Sequence, residues 1–331
     1  MKHATLCEDE MKGIKHIEVS NRAVKFRFDL VRNITLVRGD SGTGKTTLYA
    51  MIADYMRSGD KSGVNLSSPC PCIAVDDLLW AERISEAKES IVFIDEDSAR
   101  FLRTREFASI VKNSDNYYVI FTREDLHELP YSVDEIYEIK TSGKYHSFKK
   151  LYAGQTKTRC FPDKVKLSTA DTVITEDSKA GFSFFREVFS ENETKVLAAG
   201  SNSGIYRFLK STAEENTLVI ADGAAFGAEI DRVLKLIATK KNIMLYLPES
   251  FEWMILRSGL VEQTDEILES PSEHIESREY FSWERFFTAL LSEKTAGTYL
   301  AYSKDKLNEN YLHDREKAAI IAVMPKNGFF S

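Results

Sequence analysis

The chain has 331 residues, an apolar share of 43%, a charged share of 29% and a formal net charge of −7. That length leaves room for two domains with separate cores, and the balance is that of a globular chain rather than a disordered one. The acidic excess argues against a surface coated for nonspecific nucleic-acid binding, no run approaches an uncharged membrane-spanning helix, and four cysteines are too few for a disulfide framework.

The opening text (MKHATLCEDEMKG) holds no apolar signal core, so a cytoplasmic location with no membrane association is expected, and the first ten residues are expected to contribute little. Residues 33–38 (NITLVR) form a short β-branched and apolar run that reads as a buried strand. It leads into Gly39-Asp40-Ser41-Gly42-Thr43-Gly44-Lys45-Thr46, which fits G-x-x-x-x-G-K-[ST], and Leu48, Met51, Ile52 and Tyr55 then recur at helical spacing. Strand, glycine loop and helix in that order make a phosphate cradle: the glycines let backbone N–H groups converge, and the helix N-terminus adds partial positive charge. Gly39, Ser41, Gly42, Thr43, Gly44, Lys45, Thr46 and Thr47 are the candidate nucleotide-binding residues. Lys45 is expected on the β- and γ-phosphates and the Thr46 hydroxyl on Mg²⁺.

Further along, Cys70-Pro71-Cys72 is a close cysteine pair without a second pair of zinc ligands nearby, and reads as a loop turn before a redox or metal site. Residues 91–94 (IVFI) run into Asp95-Glu96, a buried strand delivering two carboxylates to the edge where nucleotide binds. Asp95 is expected in the Mg²⁺ shell, with Glu96 positioning or deprotonating the attacking water. A third strand, 117–121 (YYVIF), ends at Thr122 and Arg123, either of which is a candidate γ-phosphate sensor; a plain strand cap is the alternative. Between residues 141 and 166 lie Lys144, Lys149, Lys150, Lys157, Arg159, Lys164 and Lys166 against Asp163. That stretch reads as a solvated linker or as a local nucleic-acid contact.

The pattern then restarts. Residues 172–175, 195–199, 217–221 and 242–247 read as four buried strands, separated by helical segments at 182–189, 205–211 and 228–238, which implies a second, mainly parallel α/β sheet. Polar residues follow the strands: Glu176 and Asp177, then Gly200, then Asp222, then Glu249 and Glu252. Helix and strand capping is one account of these acids. Acidic and serine residues dominate 262–279, read as a solvated connector, before a closing helix whose stripe of Trp283, Phe286, Phe287, Leu290 and Leu291 reads as packed core.

The first half resembles the ATP-binding-cassette-like ATPases. Residues 15–48 look like their two opening strands, P-loop and helix, and residues 133–152 like their closing hairpin. An LSGGQ-like signature and a glutamine between the P-loop and Asp95 are missing, and Arg123 stands where that family places a histidine. The resemblance implies ATP and Mg²⁺ as cofactors and catalytic roles for Lys45, Glu96 and Arg123. The second half resembles the Toprim domain of topoisomerases, primases and OLD-family nucleases: Glu176 and Gly200 match, and Asp222-Gly223-Ala224-Ala225-Phe226-Gly227 matches D-x-D-x-x-G except at Ala224. This resemblance implies Mg²⁺ ligands at Glu176, Asp222 and Glu252, weakened by the lost acid.

The expectation is an α/β protein with a P-loop NTPase domain at 12–152, a basic linker at 153–170, and a Toprim-like α/β domain with C-terminal helices at 171–331. The leading function is an ATPase whose second domain acts on or binds DNA or RNA, in phage defence or repair, with nuclease activity weak or absent. A nucleotide-regulated module that binds a protein partner is the alternative, and oligomerisation is left open. A switch GTPase lacks its N-K-x-D motif here, and a small-molecule kinase suits the Asp95-Glu96 pair poorly.

Overall fold

The computed structural model describes residues 11–152, 160–161, 170–190, 193–211, 215–240 and 242–325. The first ten residues, and Lys157, Arg159, Asp163, Lys164 and Lys166 of the basic stretch, lie outside the described residues. The chain forms two compact units, one comprising residues up to Leu129, Glu135–Leu151 and Ser270–Ser282, the other Pro130–Asp134, Tyr152–Glu269 and Trp283–Ser331. Among the described residues no helix is long and apolar enough to cross a membrane.

The first unit holds β1 (Lys15–Ser20), β2 (Lys25–Leu30), β3 (Ile34–Arg38), α1 (Lys45–Ser58), β4 (Asn65–Ser67), β5 (Cys72–Val75), α2 (Trp80–Glu86), β6 (Ile91–Asp95), α3 (Arg105–Lys112), β7 (Tyr117–Phe121), β8 (Ile136–Ser142) and β9 (Tyr145–Lys150). They form one sheet in the order β4-β1-β2-β9-β8-β3-β7-β6-β5. In β1 and β2 buried and open positions alternate, the period-two signature of strands with one covered face. In β3, β6 and β7 every residue is buried, as parallel strands covered on both faces require. Val37 sits opposite Phe121, and Phe121 opposite Asp95, so the carboxyl ends of β3, β7 and β6 lie level with one another. Leu48, Met51 and Ile52 bury one face of α1 into a core with Phe26, Phe28, Phe93 and Tyr117. The expected hairpin is β8 and β9, paired antiparallel from Tyr137–Lys150 to Ser142–Tyr145.

The second unit holds β10 (Cys160–Phe161), β11 (Thr172–Thr175), α4 (Ala180–Val188), β12 (Lys195–Ala198), α5 (Asn202–Ser211), β13 (Thr217–Ile220), α6 (Ile230–Thr239), β14 (Ile243–Tyr246), α7 (Phe251–Arg257) and α8 (Asp265–Glu269). After α9 (Pro271–His274), which belongs to the first unit, it closes with α10 (Trp283–Thr295) and α11 (Asp314–Ile321). Its sheet runs β10-β14-β13-β11-β12, parallel except for β10. Three of the expected strands are wholly buried. The fourth, β12, is not: it is the edge strand, with Lys195 exposed and its other residues half-buried. The stripe on α10 does pack inward, with Trp283, Phe287, Leu290 and Leu291 buried.

Two boundaries depart from the expected contiguous split. Residues 262–279, expected to be a solvated connector, include α8 and α9, and the part from Ser270 onward is fastened into the first unit. Ser277 is the anchor there: its carbonyl accepts from Asn33 Nδ2 at 3.1 Å, its hydroxyl lies 2.9 Å from the Tyr117 hydroxyl, and its N–H donates to the Met11 carbonyl at 3.1 Å. Polar composition here marks hydrogen bonding rather than solvation. The short run Pro130–Asp134 belongs to the second unit, where Gly227 N–H donates to the Tyr131 carbonyl at 2.9 Å and Val133 N–H to the Gly223 carbonyl at 3.2 Å.

Gly227, the last residue of the Asp222 motif, has a steric reason to be glycine. A Cβ there would lie 2.3 Å from Tyr131 Cδ2 and 2.6 Å from the Tyr131 carbonyl oxygen. Gly227→Ala should therefore destabilise the protein by about 1–3 kcal/mol, the usual cost of forcing atoms into a packed site. Urea denaturation of the full chain checks this; an unchanged midpoint would show that the Tyr131 contact yields freely.

Candidate functional site

In the first unit the glycine loop leaves β3 and enters α1 through backbone that only glycine adopts easily. Gly39, Gly42 and Gly44 have φ of +139°, +84° and +101°. Gly44 caps α1, and a Cβ on it would also press to 3.4 Å from the Phe26 ring, which itself stacks on His146 at 4.5 Å. Ser41, Thr46 and Thr47 are exposed along the loop and first helical turn. Lys45 is only 7% exposed. Its Nζ donates to the carbonyls of Gly39 and Asp40, the latter at 2.9 Å, and lies 3.3 Å from Thr43 Oγ1. Burial, and then the nearby Arg123 charge, pull Lys45 below the ordinary lysine value. The ammonium thus braces its own loop, and carbonyl partners are ones a phosphate oxygen can replace with a stronger, charge-assisted bond.

Asp95 ends β6 and is 4% exposed. One carboxylate oxygen accepts from the Asp97 N–H at 3.3 Å; the other, Oδ2, is buried with no hydrogen-bond partner. An orphaned buried carboxylate oxygen costs about 1–3 kcal/mol or more, and a hard cation is the partner that oxygen donors accept best. The Asp95 carboxylate therefore fits a place in the oxygen-rich shell that Mg²⁺ takes.

Glu96 is held from β7. Its Oε2 accepts from Thr122 Oγ1 at 2.9 Å and from the Arg123 N–H at 2.8 Å, while Oε1 lies 3.4 Å from Arg123 Nε. Arg38, at the end of β3, pairs with Asp125 at 2.5 Å and ties the same turn down from the other side. Thr122 and Arg123, either of which is the expected sensor, both hold Glu96. Cys72 starts β5 rather than lying in a loop turn, and burial pushes its thiol up to about 12, which leaves it a poor thiolate.

In the second unit Glu176 follows β11, Asp222 follows β13, and Glu252 sits in the first turn of α7, which Ser250 caps by accepting from the Trp253 N–H at 3.2 Å. All three line one pocket, together with Tyr302 and Lys304. Each carboxylate is already engaged within the fold or buried against its neighbours. Glu252 accepts from the Tyr302 hydroxyl at 2.8 Å, Glu176 accepts from the Asp222 N–H at 3.4 Å, and Lys304 is ion-paired to Glu284. Ala224 is buried, and its N–H donates to the Glu249 carbonyl at 3.3 Å. Gly200 takes a φ of +80° as the turn after β12 and does not line the pocket. Among the described residues no group of three His, Cys, Asp or Glu side chains comes together in a way that would hold a metal ion. The expected Mg²⁺ ligands Glu176, Asp222 and Glu252 share a pocket without forming a coordination shell.

Tyr302, Lys304 and Glu284 escape sequence reasoning altogether, because none lies in a motif or a periodic segment tied to the acids. Burial first, and then the Glu284 charge, push Glu176 up to about 7 and Asp222 well above the usual carboxylate range. Among known protein families and curated proteins, no family model and no protein matches the chain.

The Glu176 shift fixes the sign of a pH effect. A carboxyl raised on folding is protonated in the folded state at pH values where the unfolded chain has already lost that proton. Its contribution is full below the unfolded value and is lost as pH rises through about 7. Urea midpoints of the full chain should fall between about pH 5 and about pH 8, and Glu176→Gln should flatten that fall. An unaltered slope in Glu176→Gln would mean that Glu176 is ionised throughout.

Proposed function

We propose that the chain is a Mg²⁺-dependent nucleoside triphosphatase, with ATP as its nucleotide, whose second unit is a binding and response module rather than a nuclease. The orphaned Oδ2 of Asp95, at the end of a parallel strand two places from the glycine-loop strand, is the observation that carries this reading. The backbone N–H groups of the loop and of the α1 N-terminus cradle the β-phosphate, and Lys45 exchanges the Gly39 and Asp40 carbonyls for phosphate oxygens. Thr46 and Asp95 would hold Mg²⁺, which would supply neutralisation of the charge that builds on the transferred phosphoryl group. Glu96 orients the attacking water and accepts its proton, and Arg123 faces the terminal phosphate.

The resemblance to ATP-binding-cassette-like ATPases followed by a Toprim-like domain supports nucleic acid as the partner of the second unit. A second reading, a nucleotide-regulated module that binds a protein partner, is favoured by one specific observation: Glu176 and Glu252 accept hydrogen bonds from the chain, and among the described residues no three such side chains gather on a metal position.

Hydrolysis of ATP and GTP with Mg²⁺, with and without DNA or RNA, separates these readings. ATP turnover should be measurable, Lys45→Ala should abolish nucleotide binding, and Glu96→Gln should keep binding while losing about 100-fold or more in turnover, the scale of a positioned general base. Full turnover in Glu96→Gln would remove Glu96 from the chemistry. Acceleration by nucleic acid supports the Toprim-like reading, and indifference to it supports the protein-binding module.

The clamp on Glu96 makes a separate prediction. Thr122→Val removes a hydroxyl that donates to Glu96 without touching the glycine loop. It should leave ATP affinity within about 2-fold while changing the single-turnover rate by about 10-fold, a shift of roughly 1.4 kcal/mol and so within the range of one hydrogen bond to a charged group. An unchanged rate would show the bond to be structural only.

A further inference from the structure

The second unit carries an acid pocket whose residues fit a metal ion poorly, and the reason lies in its own chain. We infer that the Lys304 ammonium stands in this pocket as a built-in counter-cation, taking the electrostatic place of a divalent ion and closing the pocket to Mg²⁺ and Mn²⁺. The inference is independent of any nucleotide chemistry in the first unit.

Lys304 is placed by the fold rather than reaching in from solvent. Its carbonyl accepts from the Ala180 N–H at the start of α4 at 3.2 Å, and the next residue, Asp305, pairs with Lys179 at 3.1 Å. Two residues earlier, the Tyr302 N–H donates to Thr295 Oγ1 at 3.0 Å and the Tyr302 hydroxyl donates to Glu252. A segment pinned on both sides therefore delivers one hydroxyl and one ammonium into the pocket. The ammonium is ion-paired to Glu284, and its charge also acts on Glu252 and Asp222.

A divalent ion would have to displace this arrangement. It would break the Tyr302 bond to Glu252, stand beside the half-exposed Lys304 ammonium, and shed its own tightly held water. With Ala224 in place it would do so for one carboxylate fewer than the motif allows. The ammonium needs no loss of translational freedom to be there, because the chain already holds it. Glu176, Asp222 and Glu252 line the pocket together with Lys304, whose ion-pair partner is Glu284.

The experiment is Mn²⁺ binding to the full chain, without nucleotide, read by electron paramagnetic resonance. Every variant carries Asp95→Asn, which silences the cation position of the first unit. With Lys304 present, no bound Mn²⁺ should be sensitive to Asp222→Asn. Lys304→Met should gain about one Mn²⁺ per chain, about 10–100-fold tighter than the parent, the range over which a neighbouring group tunes metal affinity. Adding Asp222→Asn should remove it, and Lys304→Arg should leave the pocket closed. If Lys304→Met does not fold, Lys304→Gln takes its place with the same expectation. Mn²⁺ bound by the Lys304 protein and lost on Asp222→Asn would overturn the inference, and so would folded Lys304→Met and Lys304→Gln proteins that gain no Mn²⁺.

Discussion

Parallel strands covered on both faces must satisfy their backbone within the sheet and carry apolar side chains along their whole length, so polar side chains gather only where the strands end. In the first unit β3, β7 and β6 obey this constraint side by side and in level register. Everything proposed for that unit follows from it. The glycine loop leaves β3, the Glu96 clamp leaves β7, and Asp95 closes β6. The same constraint explains why Asp95 Oδ2 is left buried without a partner: no backbone donor of the sheet points past its own end. An unmade hydrogen bond to a charged oxygen is costly, and the cation proposed at Asp95 would offset that cost.

The second unit applies the same architecture to a different end. Its strands β11 and β13 also finish in acids, and α7 brings a third. There a tyrosine hydroxyl donates to Glu252 and a backbone N–H to Glu176, and the Lys304 ammonium, paired with Glu284, lines the same pocket. One unit leaves a buried carboxylate oxygen without a hydrogen-bond partner, while in the other Glu176 and Glu252 accept hydrogen bonds from the chain. That contrast supports a division of labour in which nucleotide chemistry belongs to the first unit and recognition to the second.

Much of this was legible in the sequence because the signals are local. A β-branched run, three glycines and a helical repeat are contiguous from residue 33 to residue 55, and the run at 91–94 ends directly in Asp95 and Glu96. What was hidden depends on contacts over long separations. Lys304 sits in irregular chain 82 positions beyond Asp222, in a segment without hydrophobic period, and nothing near it spells an interaction with Glu284. Residues 262–279 read as solvated because serine and acid usually mean exposure, yet within them the backbone groups of Ser272 and Ser277 bond to Met11, Gly13 and Asn33. The edge position of β12 was equally silent, since four residues of text do not say which strand is last. Thr122 and Arg123 were recognisable as polar residues after a strand, but their hold on Glu96 required the register of β6 against β7.

The account turns on the cation position at Asp95, and the most direct measurement is equilibrium binding of a non-hydrolysable ATP analogue as a function of Mg²⁺, for the natural chain and for Asp95→Asn. The account predicts binding that tightens with Mg²⁺ in the natural chain, with that dependence largely lost in Asp95→Asn while metal-free binding is retained. Nucleotide binding that ignores Mg²⁺, or a Mg²⁺ dependence that survives unchanged in Asp95→Asn, would contradict it.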